Sequence, residues 1–414
     1  MRSAAIAHSE LSAAMRRLQV RKQVNTRTDS PLTRWSISPV ILAIGVGLLA
    51  GPQCLKLIDP QLSEDGALIQ SMSEAVLLIC LFCAGLRLRA PLEWAPWRVP
   101  MQLASLTTVS AALLSAAAAY LIFGMSLLQA SLLAVILAPT DAVLAADAHA
   151  VTEGDQEPVP FALAGEGAVT SAIAAPVVVL LLTRMGVTGM GTALFGSLTL
   201  TVLWSLVGGA ALGWLLGMAS SRWLALIDRD RQGDLLEEMI VFATGALAYV
   251  CALALRTDAL LAALAAGLAL SHGGRRRTAR KQLLGARVLR VAGRAERGAT
   301  VLIMVLLGTL LGAADFTART VLYAAVLLIL VRPVGVRLGL GRPTVTSVQL
   351  RMLELFAARG PAAIYCLALA ATHDLPATFS RQLQSAALVV TVVSIISSTV
   401  SALTARRPSP GPAV

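Results

Sequence analysis

Charge is scarce in this chain. Asp, Glu, Lys and Arg make up 14% of its 414 residues, against 57% hydrophobic residues. A soluble domain carries about a quarter charged residues, so the composition excludes one and points to a chain folded in a bilayer. The mean hydropathy of +0.75 agrees. There are only four histidines, and no Cys/His run has the spacing of a metal centre. No Gly-rich phosphate loop or nucleotide-binding unit is present, which argues against a soluble enzyme and leaves no cofactor to expect. The five cysteines are scattered. Cys80-Leu81-Phe82-Cys83 has a redox spacing, but it stands in a hydrophobic run without His or acid and reads as core. The N-terminus lacks the apolar core of a signal peptide, so no cleavage is expected.

What the chain has in abundance is apolar runs of about 15–28 residues, where a helix needs about 20 to cross the hydrocarbon core. About twelve are readable, near 37–53, 72–88, 99–123, 127–147, 160–184, 193–220, 236–255, 258–272, 298–315, 318–339, 350–372 and 384–404. The expected fold class is an all-α polytopic membrane protein with about 12 transmembrane helices. The excess of positive charge, +11 overall, sits in short stretches between these runs, which disfavours a nucleic-acid partner. With the N-terminus inside, one set of segments collects Arg16, Arg17, Arg21, Lys22, Arg27 and Arg34, Arg87, Arg89 and Arg98, and the dense stretch 275–297. By the positive-inside rule those segments and both termini are cytoplasmic, in a multi-pass protein of a bacterial inner membrane. The loop 148–159, acidic and without a basic residue, is the exception. Residues 280–290 read equally as a basic surface helix or as a plain loop. His149 and His373 sit near span ends and read as interfacial; Gly208-Gly209 reads as close helix packing.

Four groups put charge or broken backbone inside the membrane. Pro139-Thr140-Asp141 falls within the fourth run and Gly165-Glu166 within the fifth. A carboxylate at that depth costs about 2.5–3.5 kcal/mol on insertion scales, so it calls for a partner or a task. Pro139 also removes a helical hydrogen bond and frees a carbonyl. Arg332-Pro333 closes the tenth run, and Arg359-Gly360-Pro361 interrupts the eleventh. Runs four and eleven thus each pair a charge with a proline, a near-symmetric placement that points to an inverted repeat.

Taken in order, these motifs resemble the monovalent cation/proton antiporters of the sodium/proton exchanger type. That family carries Pro-Thr-Asp on a broken helix, Gly-Glu followed closely by Asn-Asp, an Arg-Pro at a span end, and Arg-Gly on a second broken helix. Gly45 to Pro52 and Leu81-Phe82 to Gly85 are weaker echoes. The resemblance covers roughly 37–404 and breaks at one place: Thr170 and Ser171 stand where the family has Asn-Asp. That aspartate is the family's central carrier, and a hydroxyl cannot exchange protons near neutral pH.

The resemblance implies two inverted repeats with crossed broken helices, forming a core domain of spans three to five and ten to twelve. A dimerisation domain of spans one, two and seven to nine would accompany it, making a homodimer. The expected division is a basic tail 1–36, repeat one 37–192, a connecting helix and loop 193–235, repeat two 236–404 with a basic loop 273–297, and a tail 405–414. Relative to longer members the first span is missing. The implied activity is exchange of a monovalent cation, Na+ or K+, for protons. Asp141 would be the binding acid, with Thr140, Thr170 and Ser171 as oxygen ligands and Glu166 as a second acid at the site. Glu166 is also the expected partner of Arg332; Arg359 would offset the helix ends, and Pro139 and Pro361 would make the breaks. Two other readings remain: a transport-incompetent relative with a binding or regulatory role, and a transporter of another solute such as an anion.

Overall fold

The computed structural model describes residues 39–62, 64–91, 93–141, 158–187, 198–226, 233–273, 286–340, 345–356 and 358–405. The tail 1–36, residues 142–147 of the fourth run, His149 with most of the acidic loop, and residues 274–285 lie outside them, as do residues 406–414 of the C-terminal tail.

The described residues form helices and no strand. In chain order they are α1 (Pro39–Ala50), α2 (Gly66–Arg87), α3 (Trp94–Phe123), α4 (Leu127–Ile136) and α5 (Pro158–Arg184). Then come α6 (Leu198–Leu226), α7 (Gly233–Ala254), α8 (Ala259–Gly273) and α9 (Ala286–Leu310). The last are α10 (Ala318–Leu340), α11 (Ser347–Leu355), α12 (Pro361–Ala371) and α13 (Ala377–Ala405). Eight are long and apolar enough to cross a membrane, and α1, α4, α8 and α12 are shorter apolar helices. Each of the twelve expected runs holds at least one described helix, the eleventh holding parts of both α11 and α12.

Helix-on-helix packing relies on small residues, as it must where lipid is as apolar as Leu. Gly47 of α1 and Gly308 of α9 face each other so closely that a β-carbon on either would strike the other helix's backbone. Gly209, Gly213 and Gly217 bring α6 equally close to Asp258, Ala262 and Ala266, as the paired glycines of that run suggested.

Two features depart from the runs as read. Helix α9 starts at Ala286, so residues 286–297, expected as part of a basic loop, are helical. Arg287, Arg290, Arg294 and Arg297 share its exposed face, while Val288, Ala292 and Ala299 are buried. Glu296, buried on that inner face, pairs with Arg87 of α2, and this neutralisation lets a charged stretch continue the span. Helices α3 and α10 each contain one π turn, at Leu103–Thr107 and Leu327–Val331. Both precede a broken helix. In α10 the cause is local: Pro333 lacks a donor, and its ring displaces the carbonyl four residues back, inside the widened turn.

Candidate ion-binding site

Helix α4 opens with a capping box, Ser126 and Gln129 each bonding the other's backbone N–H. It ends at Ile136, and the chain then runs non-helically through Pro139 to Asp141. Helix α11 stops at Leu355, and α12 resumes at Pro361, whose missing N–H costs nothing at a first helical position. The two interruptions cross and satisfy each other. The Asp141 N–H donates to the Ala358 carbonyl at 2.8 Å. Arg359 Nε donates to the Leu137 carbonyl at 2.6 Å, placing a cation on the negative end of α4. The Arg359 N–H donates to Ser394 Oγ of α13 at 3.0 Å. Free backbone groups at membrane depth need such protein partners.

The Asp141 side chain lies against Gly360, where a β-carbon would collide with its carboxylate. Only glycine admits this acid to the start of α12, and the helix dipole there favours its negative charge. Asp141, Thr140 and Ser171 are each at least nine-tenths buried. They line one cavity with Leu77, Cys80, Leu81 and Ala84 of α2 and Pro361 and Ala362 of α12. The cavity volume is about 20 Å³, counted as room for the centre of a water molecule. That admits a water or a single small ion and no organic solute. Thr140 Oγ1 has no hydrogen-bond partner among the described residues, and Ser171 Oγ reaches only the Thr140 carbonyl, at 3.5 Å.

The remaining predicted residues take other places. Glu166 is fully buried and held in a fork by Arg332, whose Nη1 and Nη2 donate at 2.5 and 2.9 Å. Arg332 Nε also donates to the Leu353 carbonyl of α11 at 3.3 Å, so the pair ties α5, α10 and α11 together. Thr170 turns its hydroxyl to the Glu166 carbonyl, one helical turn back, at 2.8 Å. Neither Glu166 nor Thr170 lines the cavity; Thr140, Asp141 and Ser171 do. Pro139 and Pro361 stand at the two breaks as expected.

Several polar groups were not singled out from the sequence. Tyr323 of α10 and Ser115 of α3 share a buried hydrogen bond of 2.7 Å. Glu74 of α2 accepts from Tyr249 of α7 at 2.8 Å. Asp258, in the turn between α7 and α8, accepts from the Leu261 N–H at 2.6 Å and so caps α8. Glu74 carried a visible signal, a lone carboxylate just inside the second run. The others became conspicuous only once their partners were brought near.

The crossing, the buried acid and the arginine-bound glutamate meet a family comparison that spans almost the whole chain. The profile described as "Sodium/hydrogen exchanger, transmembrane" matches residues 27–406. The chain belongs to this family. Among solved structures, the sodium proton antiporter MjNhaP1 from Methanocaldococcus jannaschii at pH 8 superposes with a TM-score of 0.74 at 17% identity. That match covers 96% of this chain and 98% of that one. An electron-microscopy structure of the same antiporter gives a TM-score of 0.67, also at 17% identity, over 97% and 95% of the two chains. Identity this low speaks for the exchanger fold alone. A comparison with curated protein sequences finds no match. This exchanger-family chain is therefore a multi-pass membrane protein of transporter kind, and its own departure, Ser171 beside Asp141, falls inside the cavity.

Proposed function

We propose that this chain exchanges a monovalent cation, Na+ or K+, for protons, and that Asp141 is the acid that carries both in turn. The carrying observation is the cavity: one carboxylate with two hydroxyl-bearing neighbours, at the crossing of two broken helices. A single carboxylate binds a proton or a cation but not both, since each neutralises the same charge. Competition between them, with alternating access, is exchange. Oxygen ligands suit hard cations, and Thr140 and Ser171 supply them beside Asp141. Glu166 and Thr170 are withdrawn from the ion site: Glu166 braces the core through Arg332, and Thr170 spends its hydroxyl on the helix backbone. No basic side chain lines the cavity, which speaks against an anion as solute.

The division into a core and a dimerisation domain, and a homodimer in a bacterial inner membrane with both termini cytoplasmic, complete this reading. One observation favours a second reading, a relative that has lost transport: Ser171 cannot titrate where the family's carrier acid stands. Purified protein in vesicles holding a pH dye separates the two. Pulses of sodium, potassium and lithium are expected to move protons with at least one cation, and Asp141→Asn to abolish the response. Silence with every cation, relieved by Ser171→Asp, would establish the second reading instead.

A further inference from the structure

The seam between α2 and α12 carries polar groups from one face of the membrane towards the cavity. At its outer end Thr372 Oγ1 donates to Gln70 Oε1 at 3.2 Å, and Gly66, where α2 begins, packs on Thr372. The two helices therefore run antiparallel, with the end of α12 beside the start of α2. Four residues along α2 from Gln70 stands Glu74, and three further on Leu77 is the first residue of α2 to line the cavity. Glu74, Leu77, Leu81 and Ala84 follow one helical stripe, spaced three, four and three. On α12, Pro361 and Ala362 line the cavity, and Tyr365, one turn towards Thr372, lies within electrostatic reach of Glu74. Glu74 is thus one turn from the Asp141 cavity along the same stripe of α2.

A carboxylate in a spanning helix asks for a function. The Tyr249 hydroxyl from α7 bonds Glu74 Oε1 and fixes its direction while leaving it half-buried rather than sealed. Other charge facing this region comes from Asp258, in the turn before α8, also acidic. The cavity at the end of the seam has its own sign of an intended ligand, the nine-tenths-buried Thr140 hydroxyl without a partner.

We propose that Glu74 is an approach carboxylate for the exchanged cation, drawing it into the α2–α12 seam and handing it to the Asp141 cavity. This rests on the reading of Asp141 as the exchanging acid. It supplies a second negative charge on the path of a chain that has Ser171 in the site itself. Glu74 acts on capture, so its loss raises the cation concentration needed and alters the maximal rate less.

Two readouts on the full-length protein test this. In vesicles, Glu74→Gln is expected to raise the half-saturating cation concentration about five- to tenfold, as removal of one nearby charge in a partly screened setting should. Glu74→Asp is expected to recover part of it. In detergent, the cation-induced rise in unfolding temperature, with choline holding ionic strength constant, is expected to shift to higher concentration by a similar factor. An unchanged half-saturation in both readouts overturns the proposal, as does a fall in maximal rate alone, which would make Glu74 a brace between α2 and α7. The detergent readout needs no transport. A wild type without flux but with a cation shift lost in Asp141→Asn would end the antiport reading and still score Glu74. A protein showing neither flux nor cation shift overturns both.

Discussion

A buried ion pair is costly to break and cheap to replace, and Glu166–Arg332 is the clearest case here. Each partner sits in a site with almost no water, so Glu166→Gln leaves a guanidinium half-paired at membrane depth. The expected loss is about 3–5 kcal/mol, seen as a lower unfolding temperature in detergent. The double change Glu166→Leu with Arg332→Met should cost much less, because it removes both charges. A single variant as stable as the parent would show the pair to be dispensable. That these two charges needed partners was legible from the apolar runs around them. Which acid would meet which arginine was guided by the family resemblance, since the residues lie 166 positions apart in the chain. Glu166 and Thr170 lie outside the cavity lining, because a side chain's direction depends on what its neighbours offer. Glu166 found a fork of donors, and Thr170 found a carbonyl one turn back.

The breaks in α4 and in the α11–α12 crossing were readable because proline cannot continue a ladder of hydrogen bonds. Their mutual satisfaction was not, since it depends on two segments meeting. Gly360 is where that meeting leaves least room. Gly360→Ala is expected to press on the Asp141 carboxylate and lower exchange at least tenfold, while overpacking costs roughly 1–3 kcal/mol of stability. Gly45→Ala is the control, because a β-carbon there meets nothing within 4 Å. Equal flux from both variants would show that Asp141 has more freedom than this crossing implies. The early start of α9 escaped the sequence reading for a related reason. A window rich in Arg reads as a surface helix or a loop, not as part of a span, until Arg87 is known to neutralise Glu296 from another helix.

If each of the twelve expected runs crosses, the number is even and the two ends of the chain share a side, which the arginine distribution predicts to be cytoplasmic. Cleavable tags at the two termini should be cut by the same externally added protease, in inside-out vesicles and not in right-side-out ones; cutting from opposite sides would break the topology. Composition and run length sufficed for the membrane and the helical class, because water and lipid sort residues by hydrophobicity before any contact forms. Proline and buried charge sufficed to mark the two interruptions, because backbone and ionic groups in lipid cannot go unpartnered. The cavity itself was decided by tertiary structure alone. Thr140, Asp141 and Ser171 meet there, and Glu166 does not, because helices far apart in the chain cross at Gly360 and leave room for one small ion.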